Sequence, residues 1–101
     1  MVLIYTTCKN AEDAKKMGKD IIEKRLASCV NVWPIGSTYY WEDKLTEDTE
    51  AALLIKTNEH KIAQIEELLL KNHVYATPFI GSIDVRRLNR EYKEWMSKVI
   101  A

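Results

Sequence analysis

Four side chains in this 101-residue sequence have the donors that nucleophilic or metal chemistry needs: Cys8, Cys29, His60 and His73. Cys29 in "ASCVNV" and His73 in "NHVYATP" are the one pairing that could act as an activated thiol. Such a pair must lie within hydrogen-bond reach, with the thiol partly exposed. The alternative for Cys29 is a small apolar core residue. His73 follows a helical stretch, so it is either a polar residue favoured by the helix dipole, or a metal ligand or the lining of a cleft between subunits. His60 falls in the first turn of that stretch and reads as exposed. Cys8 stands alone in "TTCKNA", without the second cysteine of a C-x-x-C metal loop, and one thiolate rarely holds a soft metal by itself. Lys56 is a solvated strand-end residue or an anion contact. Asp84 in "SIDVRR" pairs with Arg86 or Arg87, or contacts a cation.

The chemistry that is missing narrows the reading further. There is no glycine-rich phosphate loop and no zincin motif, so nothing in the sequence requires an enzyme or a cofactor. Lys plus Arg and Asp plus Glu are each 15, a balance without the basic footprint of a nucleic-acid binder or a polybasic membrane signal. The core of the third strand, "EAALLIK", also lacks the aromatics on which an RNA-recognition sheet stacks bases. Glu42, Asp43, Glu47, Asp48 and Glu50 crowd around Lys44. They form a solvated hairpin tip or, less simply, a surface that attracts cations. Two cysteines are too few for a disulfide framework. The start "MVLIYTTCKN" lacks the basic and long apolar regions of a secretory signal, and no run reaches the ~18 apolar residues of a membrane span. A cytoplasmic protein is expected.

These residues need elements to hold them. The apolar, β-branched "VLIYTT" (residues 2–7) predicts a buried strand. Asn10 is positioned to cap a helix, with Asp13 three residues on and Ala14, Met17, Gly18, Ile21, Ile22 and Arg25 at helical spacing. Residues 26–33, "LASCVNVW", predict a second strand, with a bend expected at Pro34–Gly36. "STYYW" resumes it, "EDK" turns the chain, and "LTEDTEAALLIKT" returns as a long hairpin. Thr57 or Asn58 caps a second helix with Ile62, Ile65, Leu68 and Leu69 inside, fraying before Pro78. Residues 78–87 predict a fourth strand, with Phe79, Gly81, Ile83 and Val85 on one face. Asn89 starts a last helix bearing Tyr92, Trp95, Met96 and Val99.

The order βαββαβ plus a C-terminal helix, in one domain spanning residues 1–101, favours an α+β ferredoxin-like sandwich. Both helices of such a fold cover one face of an antiparallel sheet. Alternation then sets Tyr39 and Trp41 on one face of the hairpin and Tyr40 on the other. Both faces carry aromatic bulk, and a chain this short has helices for only one. A partner is required.

"EKRLASCVNV", "YYWEDKLTEDTEAALLIKT", "HVYATP" and "YKEWM" resemble, in unbroken order over almost the whole chain, the CutA family of divalent-cation tolerance proteins. The resemblance implies a homotrimer without enzymatic chemistry, in which the long hairpin packs against neighbouring subunits and covers Tyr39, Tyr40 and Trp41. It also implies a response to copper or another divalent cation, with a direct metal site as one form of it. The family's "HPY" block falls on His73 and Tyr75, with Val74 in place of the proline; its usual acidic residue after the later proline is Phe79 here. A ligating cysteine of some members falls on Thr6, with Cys8 two residues further on the same face, and a second histidine falls on Asn72. His73, Cys8 and Asp84 remain as metal candidates. Cys29, Tyr39, Trp41, Lys56, His73 and Tyr75 are implied to gather at a cleft between subunits. That architecture is similar to the PII signalling proteins, so a sensor of a small anion or metabolite is the alternative. A Cys29/His73 enzyme is the third reading.

Overall fold

A computed structural model describes residues 1–101. Seven elements follow in the expected order: β1 (Val2–Cys8), α1 (Ala11–Glu23), β2 (Cys29–Trp41), β3 (Lys44–Thr57), α2 (Ile62–Asn72), β4 (Ile80–Asp84) and α3 (Arg90–Val99). The strands form one sheet in the order β2-β3-β1-β4, with every neighbouring pair antiparallel. The two βαβ units interleave, because each helix crossover skips a strand. This is the ferredoxin-like α+β arrangement.

Alternation divides the sheet sharply. Val2, Ile4, Thr6 and Cys8 of β1 are buried, and the residues between them are not. Ala51, Leu53, Ile55 and Thr57 lie opposite them on β3 and are buried too. Against this face α1 sets Ala14 and Ile21, and α2 sets Ile65, Leu68 and Leu69, closing one apolar core. Gly18 of α1 lies so close to the sheet that an added Cβ would come within 2.7 Å of Val30 Cγ2. The helix tolerates a residue of poor helix propensity there because its backbone must approach the strand. The two buried threonines are satisfied. Thr57 Oγ1 donates to the Leu26 carbonyl at 2.6 Å, and Thr6 meets His73.

The helix ends show how local chemistry sets the boundaries. Asn10 accepts a bond from the Asp13 N–H at 2.8 Å, as the sequence predicts. At the other end Arg25 is not part of the helical stripe. It sits in the left-handed region at φ 59°, while the Leu26 N–H reaches the Ile21 carbonyl and the Arg25 N–H the Ile22 carbonyl. This double bond pattern is a Schellman close, and the buried Leu26 supplies its apolar contact. Residues 58–61 also depart from expectation. A single 3-10 turn, Glu59–Lys61, precedes α2, and neither Asn58 nor Asn89 makes a side-chain cap bond.

Three strand boundaries differ from the sequence reading. The second strand starts at Cys29 and not at residue 26, because Leu26 to Ser28 complete the helix close. It runs unbroken through Pro34 and Gly36, with Pro34 opposite Ala51. The strand is at the sheet edge, where a missing N–H that points outward removes no ladder bond. The turn is two residues, Glu42 and Asp43, both at positive φ (51° and 63°), with Trp41 opposite Lys44. Two positive values give the type I′ turn that matches strand twist. The fourth strand is shorter than expected, Ile80–Asp84.

Candidate functional site

The open face of the sheet carries what the core leaves out. From the pairing register, Leu3, Tyr5 and Thr7 of β1 share it with Cys29, Trp33, Tyr39 and Trp41 of β2 and with Asp48, Glu50 and Lys56 of β3. Tyr5 lies 6.3 Å from both Trp33 and Phe79, ring centre to ring centre. Phe79 also covers Gly81, where a Cβ would meet its ring at 2.6 Å. Trp33 was not singled out in the sequence, although it shares the odd-numbered face of Tyr39 and Trp41.

Towards the hairpin tip this face narrows to a slot of about 290 Å³ lined by Thr7, Tyr39, Trp41, Glu50, Tyr75 and Phe79 among others. Its two phenols are anchored. The Tyr75 hydroxyl donates to Glu50 and the Tyr39 hydroxyl to Asp48. Burial, then the Glu50 hydrogen bond and charge, push the Tyr75 phenol well above its usual range. The Asp48 hydrogen bond, with smaller contributions from desolvation and charge, raises Tyr39. Asp48 and Glu50 are therefore more than solvated tip residues, since each orients an aromatic side chain. Sequence gave no sign of these partners, because Tyr75 and Glu50 are 25 residues apart.

His73 does not line the slot but adjoins it behind Tyr75 and Thr7. It is the C-cap residue of α2, where its N–H bonds the Leu69 carbonyl. Its Nε2 is 2.8 Å from the Thr7 carbonyl and 3.4 Å from Thr6 Oγ1, and its Nδ1 accepts the Tyr75 N–H at 3.3 Å. The ring clamps the end of α2 to β1 and orients Tyr75, whose own ring is 4.8 Å away. Any metal bound at His73 would have to displace one of these bonds. Cys8 lines the same side of the molecule as His73. It is buried, and burial followed by the charges of Asp13 and Glu50 raises its thiol from 9.0 to about 11, which disfavours the thiolate a metal would need.

The remaining candidates sit at the hairpin base. Cys29 is half-buried and opposite Lys56. The Lys56 ammonium lies 5.8 Å from the centre of the Tyr92 ring, and the Tyr92 hydroxyl is 3.0 Å from Ser28 Oγ. Lys56 is opposite Leu3, whereas His73 contacts Thr7. Four strand residues separate the two, roughly 13 Å along the strand, so Cys29 and His73 do not form a thiol–imidazole pair within one chain. Asp84 is exposed and makes no ion pair with Arg86 or Arg87; the ion pairs are Lys19–Glu23, Asp20–Lys24 and Arg90–Glu94. No three His, Cys, Asp or Glu side chains are grouped to hold a metal ion. One chain thus holds the six cleft candidates in two places: the tip slot with the adjoining His73 at the α2 end, and the hairpin base.

Comparison with known proteins resolves what this divided geometry leaves open about kinship. Residues 2–99 match the family described as CutA1 divalent ion tolerance protein. The chain belongs to the CutA1 family. A divalent-cation tolerance protein CutA from Thermotoga maritima is 37% identical over 100 residues, covering 99% of each chain. The solved structure of the periplasmic divalent cation tolerance protein CutA from Archaeoglobus fulgidus superposes with a TM-score of 0.95 at 35% identity, covering 100% of both. Chloroplastic CutA 1 of Oryza sativa subsp. japonica is 36% identical over 96 residues, covering 94% of this chain and 54% of the rice protein. Members of the CutA1 family with this fold thus carry names from different compartments. In this chain no helix is long and apolar enough to cross a membrane. Its CutA1 kinship assigns it to divalent cation tolerance. Around His73 the family positions noted above carry Thr6, Asn72 and Val74, and the Asn72 amide is already committed to the Leu68 carbonyl at 2.9 Å.

Proposed function

We propose that this CutA1-family chain works in divalent-cation tolerance as a homotrimer without enzymatic chemistry, and that its ligand site forms between subunits. The observation that carries the reading is the uncovered hairpin. Tyr39 and Trp41 are 39% and 49% exposed on one face; Tyr40 and Leu45, opposite each other on the other face, are 74% and 63% exposed. The hairpin draws the subunit out to 47 Å along an axis, against 25 and 21 Å across. Apolar surface on both faces of a protruding ribbon favours packing between copies, and pairing protects the edge strand β2. Assembly is also the means of bringing the Cys29–Lys56 hairpin base, which lies apart within one chain, up to the slot and His73. The two free thiols, Cys8 and Cys29, are in keeping with a reducing, cytoplasmic setting.

Direct binding of copper or another divalent cation, with His73 as a ligand, is one form of this function. A PII-like cleft for a small anion is the other. It is favoured by Lys56, which has no acidic partner and lies beside an aromatic ring. Native mass spectrometry of the metal-free protein, titrated with Cu(II) and Zn(II) beside His73→Ala, separates them. A trimer that takes up one ion per subunit, lost in the variant, establishes the metal form. A trimer with weak, non-stoichiometric uptake turns the search to anions. A monomer at micromolar concentration sinks the proposal.

A further inference from the structure

At the end of the sheet opposite the hairpin tip, where β1 begins and β3 and β4 finish, lies a groove of about 400 Å³. Arg86, Arg87 and Lys93 line it, with Asn58 beside them and Leu88 and Met96 as apolar wall. No carboxylate lines it. Asp84, Glu91 and Glu94, which flank these cations in sequence, lie outside the lining, and Glu94 is paired with Arg90. None of the three lining cations has an ion-pair partner. In a chain with as many acidic as basic residues, this is a local excess of charge. The groove beside α1 shows the contrast: its Lys9, Lys16 and Lys19 are interspersed with Asp13, Asp20 and Glu23.

We propose that the Arg86–Arg87–Lys93 groove binds a small phosphate-bearing ligand. Two adjacent guanidinium groups can present paired N–H donors to phosphate oxygens, and Lys93 adds a third positive charge. Asn58 makes no cap bond with its side chain, so its amide is free to donate as well. Leu88 and Met96 provide contact for an apolar body attached to the phosphate. The site is built wholly from one subunit and lies away from the hairpin, so it does not depend on the trimer reading.

The test uses the full chain and two probes, phenyl phosphate and inorganic phosphate, with benzoate as a carboxylate control. Titration is followed by amide chemical shifts and calorimetry. The expected result is saturable binding of phosphate with shifts confined to residues 58, 85–88 and 93–97, and at least a tenfold loss in Arg86→Ala/Arg87→Ala. Lys98→Ala, an exposed α3 lysine outside the lining, should bind as wild type. Tighter binding of phenyl phosphate identifies a monoester; equal binding identifies free phosphate. Either upholds the site. No saturation, shifts spread over the surface, benzoate binding as tightly as phosphate, or equal loss in Lys98→Ala overturns it. All three altered side chains are exposed, so the variants should fold, and unchanged thermal unfolding confirms it.

Discussion

The base and the tip of the hairpin are the same two strands, paired without a break from Cys29–Lys56 to Trp41–Lys44, yet they belong to different environments. At the base, Ala51, Leu53 and Ile55 are fully buried beneath α1 and α2. At the tip, no helix reaches either face, and Tyr40 and Leu45 meet solvent together. The base is small and aliphatic, whereas the tip is aromatic and acidic. Pairing continues across both, so backbone hydrogen bonding does not distinguish them; side-chain burial does. A sheet segment that extends past its own helices keeps its register from the ladder, but its side chains go without a helix layer to cover them.

The sharpest test of that contrast is Trp41→Ala. A tip buried between subunits predicts about 3–5 kcal/mol lost from assembly, read as dissociation on dilution in sedimentation velocity. An unchanged trimer at nanomolar concentration would break the comparison, because an exposed substitution usually shifts stability by no more than about 0.5 kcal/mol. At the base, Leu53→Ala is expected to cost about 2–5 kcal/mol. The effect appears as a lower urea midpoint even when protein concentration is held well above the dissociation range.

Cys8 and Cys29 sharpen the same comparison chemically. Cys8 on β1, paired with Ala51 of the hairpin, lies under the helices with its thiol raised from 9.0 to about 11, whereas Cys29 at the hairpin base is only half-buried. Iodoacetamide at pH 8 should modify Cys29 and spare Cys8 until the chain unfolds; equal rates would contradict the burial. The sign of the stability effect follows. The unfolded thiol loses its proton near pH 9 and the folded one near 11, so the unfolded state binds fewer protons between them. The Cys8 contribution is therefore complete below about pH 9 and declines as the pH rises to about 11, an effect that Cys8→Ser should remove.

The smallest expected effect concerns the turn. Asp43→Gly, at φ 63°, should stabilise the hairpin by about 0.5–1 kcal/mol, since glycine adopts positive φ without a Cβ penalty. A rise of the denaturation midpoint checks it, and a fall would mean that the Asp43 side chain has a contact worth more than the backbone relief.

Much of the fold could be read from local pattern. Alternation in "VLIYTT" and "AALLIKT" and the helical spacing of Ile62, Ile65, Leu68 and Leu69 carry their own periodicity. The Asn10 cap is a bond between residues three apart. Errors gathered where a local rule met a tertiary exception. Pro34 sits in an unbroken strand because that strand is an edge, and Arg25 fills a position that glycine usually takes because Leu26 is anchored in the core. The candidate site was less legible. The aromatics were visible as types, but Tyr75 to Glu50, His73 to Thr7 and Tyr5 to Trp33 and Phe79 are contacts between distant segments.

The sequence alone determined the element order, the two faces of each strand, the balanced charge and the surplus of aromatics beyond what one helix layer can cover. These depend on residue types at fixed local spacing, which backbone geometry converts directly into direction. The tertiary structure decided which candidates share a location. It separated Cys29 from His73, tied both His73 ring nitrogens to backbone partners, and gathered Arg86, Arg87 and Lys93 around a groove without a carboxylate. Such proximities arise from how strands are ordered and how helices cross them, and no local spacing encodes that order.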